Sequence, residues 1–271
     1  MNGRLASSAV AVAMLATTTS LGTEPVQDPD PDPAPTSSEL PPEVVDDRAA
    51  TAVLARHLAA MGGADRRDGI TSTRSRASLE LGGTATEFRL LTRREGGFLV
   101  RQAIPGLGEL EIGFDGTTGW RRDTSDGKAT PITARQAEEF RRSFDFQALV
   151  RNLDRRFSGA RMQPVEEVDS TPCDVVLVED GEERLKLLFD QATGLVRAIE
   201  IVDAEQRLRR RVVIQSWADE PGPFRWVRDL RIEQPRSTLT ARYSSVTFDD
   251  VAEASFEPPP ELERARKDVV E

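Results

Sequence analysis

The feature that most constrains this chain is a change of hydrophobic period. After one helical stretch, apolar residues stop recurring every three or four positions and recur every two, in many segments divided by tight turns. Residues 70–81, 84–94, 97–104 and 108–114 are β-like, separated by Gly pairs or Pro105-Gly106. Further β-like runs cover about 161–168, 173–179, 184–190, 195–203, 206–217, 224–234 and 238–248. Gly181, Ala192-Thr193-Gly194 and Glu220-Pro221-Gly222-Pro223 mark hairpin tips. Phe88 and Leu90 share one face while Arg89 points away, as in a sheet that is wet on one side. Roughly ten or eleven antiparallel strands exceed what a flat sheet tolerates. The predicted fold class is therefore mainly β with some α: an incomplete, strongly curled antiparallel β-barrel.

Two stretches keep a helical period. Asp46 or Asp47 can cap a helix in which Ala50, Val53, Leu54, His57, Leu58 and Met61 form one stripe, and Gly62-Gly63 stops it. Within residues 131–157, Ala137, Phe140, Phe144, Leu149 and Leu153 are apolar among charges, which predicts two short helices bent around Asp145. Both sets of apolar faces need a partner, and the concave side of a curled sheet supplies one.

Residues 1–22 combine a basic start at Arg4, a short apolar run and small residues at Ser20 and Gly22. They read as a cleavable signal peptide cut near Gly22, which predicts a periplasmic or secreted protein. The run is too short for a membrane span, and no Cys near the cut provides a lipid anchor. Residues 23–45 carry seven prolines among acids and read as a disordered linker, residues 46–260 as the folded domain and residues 261–271 as a tail. Formal charge is −10, the wrong sign for gripping nucleic acid, and −7 of it lies in the first 47 residues.

The composition also limits chemistry. One Cys and one His exclude an intramolecular disulfide, a thiolate cluster and a multi-imidazole metal site. His57 falls on the apolar stripe without an acid partner and reads as a packed residue. Cys173, behind Pro172, reads as a small buried hydrophobe. Glu166-Glu167, Glu182-Glu183 and Asp249-Asp250 would face opposite sides of a strand or sit solvated in turns. No phosphate-loop or dinucleotide glycine pattern occurs. No catalytic residue, metal or cofactor is expected. The run Arg207–Arg211 reads as a solvated strand face, with a patch for phosphate headgroups or an acidic partner as the sharper alternative.

Several phrases together carry a resemblance: residues 57–81, 105–123, 170–201 and 243–259, with Phe114-Asp115-Gly116 followed by Trp120, Phe189-Asp190 before Thr193-Gly194-Leu195, and Phe256-Glu257-Pro258. The chain resembles the outer-membrane lipoprotein-sorting-like proteins, the LolA/LolB-like superfamily of periplasmic lipoprotein carriers, over about residues 48–260. That resemblance implies a half-barrel whose apolar concave side, plugged by helices, accommodates acyl chains. The expected function is a non-catalytic binding protein that shelters a lipid, acyl chain or lipoprotein. Its expected partners are a membrane-associated donor or acceptor and no nucleic acid, with the protein a monomer. The alternative is an envelope sensor or protein-interaction module of the same fold. The cavity-lining candidates are Leu79, Leu81, Phe88, Leu90, Phe98, Val100, Ile112, Trp120, Leu187 and Trp217.

Overall fold

A computed structural model describes residues 47–104, 108–123, 127–180, 183–203, 207–218, 224–235 and 237–262. The expected signal peptide and linker lie outside these residues, as do the turns at Pro105-Gly106, Gly181 and Glu220–Pro223 and all but the start of the tail. Asp47 caps the first helix, α1 (Arg48–Met61), by accepting from the Ala49 N–H at 2.8 Å. Gly62 ends it at φ 134°, a conformation that favours glycine. The buried residues of α1 are the six of the sequence stripe. A short helix that the sequence did not suggest, α2 (Ala64–Gly69), follows.

The strands are β1 (Ser72–Leu81), β2 (Thr84–Arg93), β3 (Phe98–Ile104), β4 (Gly108–Phe114), β5 (Gly119–Asp123) and β6 (Ala129–Ile132). After the helices come β7 (Ser158–Val168), β8 (Thr171–Asp180), β9 (Glu183–Asp190), β10 (Val196–Val202), β11 (Leu208–Trp217), β12 (Val227–Gln234) and β13 (Ser237–Phe248). All belong to one antiparallel sheet in the order β6-β5-β4-β3-β2-β1-β13-β12-β11-β10-β9-β8-β7. Two meanders thus join where β1 pairs with β13. The described residues form 13 strands, not ten or eleven. The additional two are β5, whose Trp120-Arg121-Arg122-Asp123 shows no alternation, and β6, which contains Pro131. A strand proline is tolerated at β6 because β6 is an edge.

Between the two edges the chain crosses through α3 (Ala134–Phe144), α4 (Phe146–Arg151) and α5 (Leu153–Arg156). The bend at Asp145 is where the sequence put it, and a second break at Asn152 makes three helices instead of two. Laid flat, the sheet would be about 58 Å wide at ~4.8 Å per strand spacing. Helices of 11, 6 and 4 residues reach about 32 Å end to end at ~1.5 Å per residue. The sheet therefore arches over its helices without closing. One apolar cluster under that arch draws residues from α1, α3, α4 and strands of both meanders. By alternation the opposite face carries two smaller clusters, one around Val175, Leu188 and Val213 and one joining Leu99, Trp120, Phe256 and Leu262.

Candidate ligand-binding site

Alternation along each strand brings Leu79, Phe88, Leu90, Phe98, Val100, Ile112 and Leu187 together on the concave face, none more than 3% exposed. They meet the helices directly. Phe88 stacks on Phe144 of α3 at 5.7 Å between ring centroids, and Phe144 on Phe140 at 6.4 Å. Phe146, Leu149 and Val150 of α4 fill the same space. The side chains expected to line a hollow are thus packed on the protein's own helices. Trp217 sits half-buried at the cluster's margin, its ring 6.1 Å from that of His57. Leu81 is half-buried at the end of β1, opposite Leu239 of β13 and outside the cluster.

Trp120 requires a correction, because it lies on the other face. In the register of β5 against β4 it pairs with Gly113, and its indole lies over that glycine so closely that a Cβ there would be 2.1 Å from the ring. Its Nε1–H donates to Glu111 at 3.2 Å, and its neighbours are Leu99, Phe256 and Leu262. The segment after β13 therefore folds back onto the outer face of β3–β5. There Arg93 stands over the Phe256 ring at 5.3 Å and Arg122 pairs with Glu261 at 2.6 Å.

Helices α1, α3 and α4 are attached differently. His57 of α1 is buried, its Nε2–H donating to the Val150 carbonyl of α4 at 3.0 Å and its Nδ1 accepting from the Val196 N–H of β10 at 3.2 Å. Only an acceptor can face the Val196 N–H, so the proton resides on Nε2. Burial pushes the imidazole pKa down to about 4. Gln147 of α4 serves as a strand surrogate for Val227, donating to its carbonyl at 2.9 Å and accepting from its N–H at 3.0 Å. Arg56 of α1 pairs with Asp174 of β8 at 2.5 Å. By contrast, the side-chain hydrogen bonds of α3 among the described residues stay within the helix and its Thr133 cap: Gln136 with Thr133, Arg141 and Arg142 with Glu138, and Ser143 with the Glu139 carbonyl. The buried residues of α3 are Ala137, Ser143 and Phe144, and half-buried Phe140 packs on the same cluster.

At one end the concave face becomes polar through Thr73, Ser75 and Thr92, and beyond them a cavity of about 390 Å³ opens. Arg67, Arg94, Arg141, Arg151 and Arg155 line it together with Asp68 and Asp145. The sequence reading missed this site, since its arginines come from α2, the turn after β2 and the three mid-chain helices. The only trace in the sequence was the density of arginine around 141–156.

Glu182 lies outside the described residues, and the other chemical candidates make contacts within the fold. Cys173 is buried, which pushes its thiol up to about 11. Glu166 pairs with Lys186 at 2.6 Å, and Asp249 accepts from the Thr71 N–H at 2.6 Å. Arg207 and Arg209 both pair with Asp203, and Arg211 pairs with Glu200, which Lys186 also approaches at 3.5 Å. Among the described residues no three His, Cys, Asp or Glu side chains are grouped to hold a metal.

No family model matches this chain, and no curated protein matches it significantly. Solved structures do. A DUF1329 family protein from Desulfovibrio piger superposes with a TM-score of 0.55 at 16% identity, over 78% of this chain and 96% of that one. A LolA superfamily protein from Nitrosomonas europaea superposes with a TM-score of 0.52 at 10% identity, over 77% and 97%. At such identities the likeness concerns the fold.

Proposed function

We propose that this chain, which has the lipoprotein-sorting, LolA-like fold, is a non-catalytic exported binding protein that shelters an acyl chain, lipid or lipoprotein on the concave face of its arch. The observation that carries this reading is the attachment of α3. It covers Phe88 with Phe144 and makes no side-chain hydrogen bond to the sheet among the described residues, whereas α1 and α4 are pinned by polar contacts. An α3 held in this way can be displaced by a competing apolar group.

The magnitudes favour exchange. Removing one buried Phe and a half-buried Phe from the arch forfeits about 3–5 kcal/mol of apolar burial. A dozen methylenes laid on the same surface return up to about 10 kcal/mol before ordering costs. The apolar burial offered by an acyl chain is thus about twice what α3 gives up, which leaves about 5–7 kcal/mol to meet the ordering costs. The signal-like residues 1–22 support export, and no described helix is long and apolar enough to cross a membrane. In this reading the protein acts as a monomer that exchanges cargo with membrane-associated donors and acceptors.

Native mass spectrometry of the exported protein, followed by organic extraction, tests it. A stoichiometric lipid mass, lost in a folded Leu90→Asp variant, is the expected result. A clean unliganded mass, with no uptake of added fatty acid or lipopeptide, would overturn the reading and leave a protein-interaction module of the same fold.

A further inference from the structure

The arginine-lined cavity has an internal charge imbalance that its own carboxylates do not resolve. Arg67 Nη1 donates to both carboxylate oxygens of Asp154 at 2.6 and 2.7 Å, and its Nε reaches Asp68 at 3.0 Å. Arg155 is bidentate to Asp68 at 2.8 Å, and Arg141 to Glu138 at 2.8 Å. Among the described residues the Arg94 hydrogen bonds go to uncharged groups, the carbonyls of Asp68 and Ile70. The Arg151 guanidinium makes no hydrogen bond or ion pair among the described residues, and Arg67 and Arg94 repel it. The acids that attract it from further away are committed elsewhere: Asp145 to the Ala148 N–H and Asp249 to Thr71. A half-buried guanidinium that lines a cavity among like charges favours an external anion as its partner.

The other wall can donate as well. Thr73 and Thr92 share one hydrogen bond between their hydroxyls at 2.5 Å, so one of the two protons remains available to a second acceptor. The volume, about 390 Å³, is many times that of a water molecule.

We propose that this cavity binds a phosphate-class oxyanion, held by Arg151 with Arg94 and Arg141 on one side and the Thr73–Thr92 hydroxyl pair on the other. Guanidinium donors from several elements lining one space suit a tetrahedral group with three or four acceptor oxygens better than a carboxylate with two. The group can come from a free phosphate or soluble phosphate ester, or from a phospholipid headgroup. Thr73 and Thr92 continue the concave rows of Ala77, Leu79, Phe88 and Leu90, so a headgroup here would leave its chains on the apolar arch. The headgroup source rests on the acyl-binding reading, whereas the anion site does not.

Calorimetric titration of the purified protein with inorganic phosphate, and separately with dihexanoyl phosphatidic acid, tests the proposal. Uptake of the uncharged probe N-phenyl-1-naphthylamine is followed in parallel. Phosphate is expected to bind at one site per chain, and Arg151→Gln to weaken it at least tenfold while probe uptake stays unchanged. Arg151 is in no ion pair, so this variant should fold. Arg141→Gln, which releases only Glu138 of the same helix, provides a second folded variant. Phosphatidate binding at least tenfold tighter than phosphate identifies a lipid headgroup, and equal affinities identify the free anion. Folded wild-type protein that binds neither anion, or folded variants that bind both like wild type, overturns the proposal. Phosphate binding without probe uptake removes the acyl reading and leaves the anion site, and the converse result does the reverse.

Discussion

Mild acid is expected to loosen the pinned helices through a single imidazole. His57 is the chain's one histidine, only 2% exposed, with both ring nitrogens engaged by the backbone of α4 and β10. Burial lowers its pKa from 6.5 to about 4, so the folded state refuses a proton that the unfolded chain accepts. The stabilisation is complete above pH 6.5 and declines as the pH falls toward 4. Linkage with those two values gives a loss of about 1.4 kcal/mol at pH 5.5 and about 2.6 kcal/mol at pH 4.5, with a plateau below pH 4. Carboxylates titrate in the same region and not all with one sign. Arg155 and Arg67 hold Asp68 at about 2, whereas burial raises Asp145, whose protonation favours the folded state. The His57→Gln variant isolates the histidine contribution, since a glutamine amide can still donate to Val150 but does not titrate. Urea unfolding of both proteins at pH 7.5, 5.5 and 4.5 should show the wild-type advantage shrinking by the amounts above. An advantage that stays constant across these pH values would mean that His57 titrates alike in both states, and the plug would not depend on a neutral imidazole.

Three further outcomes follow from the packing. Phe144→Ala removes the ring stacked on Phe88 and weakens the hold of α3 by about 2–3 kcal/mol, so apolar probe affinity is expected to rise about 30- to 150-fold as the open form gains population; unchanged affinity would show that α3 does not gate the arch. Gly113→Ala places a methyl group inside the Trp120 indole and is expected to cost about 1–3 kcal/mol, with red-shifted tryptophan emission. Wild-type stability in that variant would contradict the stacked geometry. Cys173, buried with its thiol raised to about 11, should be inert to a thiol reagent in the native protein and react once per chain in urea, and rapid native labelling would contradict its burial.

The parts of this fold that were legible in the sequence are those where burial is one-sided and local. The stripe of α1 and the alternation of Phe88 with Leu90 and Phe98 with Val100 each report a single buried face through a fixed period, and the structure buries those residues on that face. Alternation does not reveal whether the second face is wet or covered. Leu91 and Leu99 point away from the arch, yet they are covered by Phe256 and Leu262, residues more than 150 positions later. Trp120 was misplaced for a related reason. Its side of the sheet follows from the pairing of a five-residue strand with Gly113, and nothing in Gly-Trp-Arg-Arg-Asp states that register. The arginine cavity was invisible because its charges converge only through the crossover from one sheet edge to the other.

That crossover places Asp145 at a consequential point. It ends α3, its N–H donating to the Arg141 carbonyl at 2.9 Å, and it caps α4, its carboxylate accepting from the Ala148 N–H at 2.9 Å. On one side of it lies a helix whose side-chain hydrogen bonds among the described residues stay within itself and its cap, and on the other a helix fixed by Gln147 and His57. Asp145 also lines the arginine cavity, where Arg141 approaches from the first helix and Arg151 from the second. An oxyanion bound between those arginines would therefore act on both sides of the bend over which α3 must swing. If it holds the two helices in their present arrangement it opposes opening, and if it draws Arg141 away from Glu138 it favours opening. Either effect obeys reciprocity: the factor by which phosphate changes the affinity for an apolar probe must equal the factor by which the probe changes the affinity for phosphate.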